Sequence, residues 1–248
     1  MADFNRLKQG KNHFQKNFKH CFLKEYDAHN VDDPVNGRLY VTPDGSYPSV
    51  TTFLSAVTDK AFLEEWKKKV GEEWAAEESE RCANRGSGVH LALEYLLRNK
   101  PDPTLAGDYR QMYVQLETVL RINVDFIHGL EIPLWSKLLG LAGRIDCLAN
   151  YKGQLSIIDF KTSTKFKRVE FITNYFLQAT CYSLMVEEMY GLKATQLVIM
   201  IGLESDLKPQ VFIRDRRDYL PLLADKLNQF RLIQAAKLEA PKSLFDLW

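Results

Sequence analysis

The segment between Gly140 and Thr162 constrains this 248-residue chain more than any other. It reads as two adjacent strands joined by a tight turn at Lys152-Gly153. The first strand carries Gly143-Arg144-Ile145-Asp146, and the second runs Leu155-Ser156-Ile157-Ile158 into Asp159-Phe160-Lys161. Side chains alternate faces along a strand. Asp159 and Lys161 are therefore expected on one face, with Phe160 turned into the core on the other. The turn brings Asp146 near Asp159. Two carboxylates and an ammonium on one side of a sheet can hold a divalent cation and activate a water against a phosphodiester.

The remaining sequence suits a single globular domain with a sizeable core, at 46% hydrophobic and 26% charged residues. The net charge is only +1, so any affinity for nucleic acid has to come from local basic patches. No apolar run approaches the length of a membrane span, and no membrane partner is expected. The N-terminus is basic without an apolar signal core, and its single Arg and scarce Ser disfavour a mitochondrial transit segment. Cys21, Cys82, Cys147 and Cys181 form no CxxC pair, which argues against zinc and iron-sulfur sites and for reduced thiols inside a cell.

Residues 1–36 read as a basic N-terminal arm that packs on the body or on a ligand, and 37–248 as one domain. A hairpin is expected where Arg38–Val41 and Ser46-Tyr47 flank Pro43-Asp44-Gly45. Pro48-Ser49 opens helical sequence with Phe53, Leu54, Val57, Phe62, Leu63, Trp66 and Val70 at helical spacing. Lys67-Lys68-Lys69 is either a solvated face or one turned to phosphates. A helix from about Glu72 to Asn84 is expected to break at Arg85-Gly86-Ser87-Gly88. Ser87 would then cap a helix over 89–98, where His90 and Glu94 share a face. A linker at 101–103, a helix over 104–122 and a strand from Val124 to Trp135 lead into the central pair. A loop rich in Lys165, Lys167 and Arg168 follows, then a helix from about Glu170 to Tyr190 stopped by Gly191, with Gln178 and Tyr182 on one face. Two strands, 195–202 and 210–214, and a helix over 219–238 complete an α/β (α+β) fold. Its mixed sheet of about five strands is flanked by helices.

Taken in order, these pieces resemble the PD-(D/E)xK nuclease superfamily in its RecB-like branch. Arg85-Gly86-Ser87-Gly88-Val89-His90, with Glu94 one turn later, matches the family's first helix. Gly143-Arg144-Ile145-Asp146 matches its first metal-binding aspartate, Asp159-Phe160-Lys161-Thr162 its D-x-K core, and Gln178 to Tyr182 its Q-x-x-x-Y helix. Upstream, Tyr47-Pro48-Ser49-Val50-Thr51 and the stretch from Phe62 to Lys67 resemble the mitochondrial genome maintenance exonucleases and their phage relatives. The resemblance covers about residues 45–190. Ile145 replaces the superfamily's proline, and the cysteines of its iron-sulfur branches are absent.

The resemblance implies a restriction-endonuclease-like core with a helical arch over about 48–85. It implies one or two Mg²⁺ or Mn²⁺ ions held by Asp146, Asp159, the main-chain carbonyl of Phe160 and His90, whose imidazole favours Mn²⁺. Lys161 would orient the attacking water or stabilise the pentavalent phosphate. Glu94 would bind a second metal through water or orient His90, and Gln178 and Tyr182 would position the lysine, a water or a phosphate. Glu131 reads as a salt-bridge or outer-shell group. Trp66 and Trp74 would stack bases, and Lys67, Arg81, Arg85, Ser87, Thr162, Lys165, Lys167 and Arg168 would contact DNA. The implied activity is a metal-dependent DNA exonuclease working from a free end, with a preference for single strands, beside replication or recombination proteins. The alternatives are a structure-specific endonuclease and a catalytically idle DNA-binding accessory. So compact a chain suits a phage or other viral source, hence a host cytoplasm, over a mitochondrial setting. Oligomeric state is left open.

Overall fold

The computed structural model describes residues 17–34 and 37–239, the side chains of Phe62, Leu238 and Glu239 excepted. The first sixteen residues of the expected arm lie outside them. At the centre are three antiparallel strands, β5 (Val124–Ser136), β6 (Leu141–Tyr151) and β7 (Gln154–Ser163). The β6–β7 turn forms as expected. Lys152 and Gly153 have φ of +52° and +81°, the double left-handed pair whose twist matches that of the flanking strands. Strand β8 (Gln196–Leu203) runs parallel to β7, and β9 (Gln210–Asp215) antiparallel to β8. The arm adds β1 (Lys19–His20), parallel to β5, so the mixed sheet has six strands in the order β1-β5-β6-β7-β8-β9. Sequence pattern indicated five, because two residues carry no alternation to detect.

The arm also supplies β2 (His29–Asp33), which joins the expected hairpin, β3 (Gly37–Thr42) and β4 (Gly45–Pro48), in a three-stranded sheet. Just before β1, Phe18 is buried and its backbone N–H and carbonyl are both bonded to the Asn99 side chain. This part of the arm therefore packs on the body.

Among the described residues there are six α-helices. They are α1 (Val50–Val57), α2 (Ala61–Val70), α3 (Glu72–Leu97), α4 (Arg110–Asn123), α5 (Thr173–Tyr190) and α6 (Leu220–Glu239). Ser49 caps α1, its hydroxyl accepting from Thr52 N at 2.9 Å. On one face, Phe53, Phe176 and Leu223 from α1, α5 and α6 pack on Ile145, Ile157 and Leu197. On the other, Val89, Leu93 and Leu116 from α3 and α4 pack on Cys147, Ile158, Phe160 and Val198. The period-two alternation of β7 and β8 sorts Ile157 from Ile158 and Leu197 from Val198 between the two layers.

The helices depart from expectation at three places. The stretch 50–70 divides at Thr58–Lys60, where Asp59 Oδ1 accepts from Ala61 N at 2.8 Å. The helix over 104–122 begins as a 3₁₀ segment, Pro103–Tyr109, kinked at Gly107 (φ 53°, ψ −132°) before α4. The break at Arg85–Gly88 does not occur, so Ser87 is an exposed residue within α3 and not a cap. Gly88 serves close packing, since a Cβ there would lie 3.0 Å from the carbonyl oxygen of Leu105. Gly88→Val is expected to destabilise the fold by about 2 kcal/mol through overpacking, read as a lowered urea midpoint.

Candidate active site

The hydrogen-bonded β6–β7 ladder runs from Tyr151↔Gln154 to Cys147↔Ile158 and stops. Beyond it the N–H of Phe160 donates to Asp146 Oδ2 at 2.7 Å. The parting strands open a cleft, and Asp159 and Lys161 line it. Asp159 is only 2% exposed. Lys161 Nζ lies 2.6 Å from both of its carboxylate oxygens and donates to Oδ1. Oδ2 is buried, and among the described residues no donor is aligned to hydrogen-bond it. Burial raises the Asp159 carboxyl to about 6; nearby Asp146 adds to the rise and Lys161 partly offsets it. Burial opposes the charge on Lys161, but Asp159 and Asp146 outweigh it and hold the ammonium above its usual value. The ammonium also sits over the Tyr175 ring, 5.1 Å from its centroid.

His90 enters from α3. Its Nε2 donates to the Phe160 carbonyl at 2.8 Å, and its Nδ1 lies 3.7 Å from Asp146 Oδ2. The expected ligands Asp146, Asp159, His90 and the Phe160 carbonyl are thus gathered at one place. Glu131 joins them, because one ligand atom each from His90, Glu131 and Asp146 lies within 4.8 Å of the others. Strand pairing explains why. Leu130 pairs with Cys147 and Ile132 with Ile145, which sets Glu131 opposite Asp146. Leu130 and Cys147 belong to the α3–α4 layer, whereas Ile132 and Ile145 belong to the α1–α5–α6 layer. The alternation therefore slips by one residue at these carboxylates, and Glu131 takes φ +53°. Burial first, then Asp146 and Glu94, push the Glu131 carboxyl up to about 8. No sequence signal foretells such a slip.

Hard carboxylate oxygens, a carbonyl, one imidazole and a buried Asp159 Oδ2 that accepts no aligned hydrogen bond are a donor set that fits a divalent cation. Glu94 accepts from Arg98 Nε at 2.9 Å, and its charge reaches Glu131. Gln178 Nε2 donates to Tyr182 Oη at 3.3 Å. The buried Tyr182 ring lies against β6, where a Cβ on Gly143 would be 2.7 Å from Tyr182 Cε1. Gly143→Ala is therefore expected to displace the ring, lower the urea midpoint by about 2 kcal/mol of stability, and reduce turnover.

The residues assigned to DNA separate into two groups. Arg81 and Arg85 each donate an Nη1 to Glu204 Oε1 at 2.8 Å. Arg81 also grips Glu78, and Arg85 bonds the hydroxyls of Thr162 (3.1 Å) and Thr164 (3.0 Å). Arg85 is 4% exposed. Both guanidiniums are thus committed within the protein, because Glu204 at the end of β8 is brought to α3 only by folding. Glu204→Ala would strand the buried Arg85 and cost about 2 kcal/mol, again read by urea denaturation. In the second group, Lys67 on α2, Ser87 on α3, and Lys165, Lys167 and Arg168 are exposed. Leu63, Trp66, Arg85, Thr162, Lys165 and Lys167 line a cavity of about 400 Å³ beside the cleft. Trp66 meets Trp74 edge-on, ring centroids 5.9 Å apart.

A sequence profile of the PD-(D/E)XK nuclease superfamily matches residues 54–243, which includes every one of the cleft residues. The chain belongs to the PD-(D/E)XK nuclease superfamily. Among curated proteins it is similar to the mitochondrial genome maintenance exonuclease 1 of three vertebrates. Identity to the human protein is 30% over 170 residues, 63% of this chain and 48% of that protein. To the Mus musculus protein it is 32% over 130 residues, covering 49% and 38%, and to the Xenopus tropicalis protein 33% over 138 residues, covering 50% and 38%. The matched regions thus span less than half the length of these relatives. Asp146 lies on β6 and Asp159 and Lys161 on β7, with the His90 ring reaching Asp146 from α3. Among the described residues no helix is long and apolar enough to cross a membrane.

Proposed function

We propose that this chain is a metal-dependent DNA exonuclease that hydrolyses phosphodiester bonds from a free end and prefers single strands. The observation that carries this reading is the joining of Asp146, Asp159, Lys161, His90 and the Phe160 carbonyl in one cleft. The exonuclease names of the relatives support it. Asp146, Asp159, His90 and the Phe160 carbonyl would hold Mg²⁺ or Mn²⁺, with Glu131 beside them; the imidazole favours Mn²⁺. When bound, the cation supplies charge neutralisation at the phosphodiester and a lowered water pKa. Lys161, kept charged by Asp159, directs its ammonium at the attacking water and at the charge that grows on the phosphate oxygens. Gln178 and Tyr182 form the wall that fixes this geometry.

The arch is expected over about 48–85; α1 within it packs into the core through Phe53 and Leu54, so α2 with the first half of α3 is the part available to cover a strand. Ala75 is its only buried residue between Glu72 and Asn84, which leaves that surface for substrate. We place the enzyme inside a cell, phage-infected cells included, beside replication or recombination proteins.

The test is digestion of a 5′-labelled linear single strand and a circular single strand with Mg²⁺ or Mn²⁺. Shortening of the linear strand alone is expected, and the product ladder would give the polarity. Cutting of the circle would move the assignment to an endonuclease. Tight binding of both with no metal-dependent cleavage would leave a DNA-binding accessory.

A further inference from the structure

The loop that leaves β7 exposes an aromatic ring on a backbone that is held in place. Ser163, itself buried, donates its hydroxyl to Lys165 O at 2.6 Å and accepts from Lys165 N at 3.3 Å. Gln210, also buried, accepts from Lys167 N at 2.7 Å and donates to Lys167 O at 2.8 Å. The peptide groups on either side of Phe166 are thus fixed from β7 and β9. Yet the Phe166 ring is 67% exposed. Lys165 and Lys167 beside it line the cavity next to the cleft. Five residues on, Phe171 is 75% exposed, with the Arg168 guanidinium 5.8 Å from its ring centroid. A lone exposed Phe is ordinary on a protein surface. An exposed ring on a doubly anchored loop, between cations and five residues beyond Lys161, is a preorganised stacking surface.

We infer that Phe166 is a base-stacking residue that takes an unpaired nucleobase of the strand whose backbone is held by Lys165 and Lys167. This rests on the nuclease reading above and adds a residue that contacts bases and not phosphates. Every base presents a π-face, so the contact is tolerant of sequence and demands only that the base be unpaired. A base within a duplex is already stacked and offers no free face, so Phe166 also favours single strands over duplex.

The test is binding, in EDTA to prevent cleavage, of an oligothymidylate and of an abasic oligonucleotide of equal length. Full-length wild type, Phe166→Ala, Phe166→Trp and Lys167→Ala are compared. Phe166→Ala is expected to weaken oligothymidylate binding roughly tenfold and leave the abasic strand unchanged, with Phe166→Trp restoring wild-type affinity. Lys167→Ala should weaken both strands equally and reduce the salt slope by about one. The ring is exposed, so the melting temperature of Phe166→Ala should equal that of wild type. Equal weakening of both strands by Phe166→Ala, or of neither, would overturn the stacking role while leaving the nuclease reading intact. Failure of wild type to bind either strand would instead bring down the DNA reading and this inference together.

Discussion

Lys161→Ala should cut metal-dependent DNA cleavage by at least about a thousandfold while leaving oligonucleotide affinity within a few fold. Among the described residues Lys161 supplies the ammonium that touches Asp159, from a side chain only 20% exposed. A charge aimed at the reacting centre from a dry site acts at full strength, and loss of one such donor costs on the order of 10²–10³ in turnover. The substitution also removes the ammonium paired with the buried Asp159 carboxylate, so a further loss in metal-site geometry is expected. Lys161→Arg should not rescue activity, because a longer, planar guanidinium that forks onto Asp159 no longer presents a compact point charge at the reacting centre. Single-turnover rates on a linear single strand measure the effect. Retention of a tenth of wild-type activity by Lys161→Ala would remove the lysine from the chemistry.

Chelating divalent cations should lower the melting temperature, and lower it more at pH 8 than at pH 5.5. Asp146, Asp159 and Glu131 crowd negative charge into a partly buried cleft. The Asp159 carboxyl is raised to about 6 and that of Glu131 to about 8. An acid whose pKa is higher folded than unfolded binds more protons in the native state, so the metal-free fold loses stability as pH rises from about 4 through the folded values. A cation bound at these groups offsets the repulsion and competes with the protons. At a hundredfold excess over its Kd it adds about 2.7 kcal/mol. Thermal scans with Mn²⁺ and with EDTA at the two pH values measure both effects. Asp146→Asn should abolish most of the cation's contribution, and Glu131→Gln should flatten the pH dependence of the metal-free protein. An EDTA effect that is the same at both pH values in wild type and in Glu131→Gln would show that these carboxyls do not titrate as their burial requires.

The central hairpin was legible because its signals are local. Alternation put Asp159 and Lys161 on one face and Phe160 on the other, and Lys152-Gly153 carried the turn chemistry that aligns β6 with β7. The Gln178–Tyr182 pair and the stop at Gly191 follow from helical periodicity and the left-handed freedom of glycine. The continuity of α3 was not legible, because Gly86 and Gly88 look the same in sequence whether they end a helix or admit a neighbour. At Gly88 the approach of Leu105 decides between these uses.

The amino-acid sequence by itself determined the α/β class, the strands that bear Asp146, Asp159 and Lys161, and the helix that bears His90. Each depends on hydrogen bonding or side-chain direction within a few residues. Tertiary structure alone decided that Glu131 completes the carboxylate cluster, that Arg81 and Arg85 are spent on Glu204, and that Phe166 stands exposed on an anchored loop. These outcomes depend on groups far apart in the chain. Their meeting is set by strand register and layer packing, and a one-residue slip in register would turn each of them to another face.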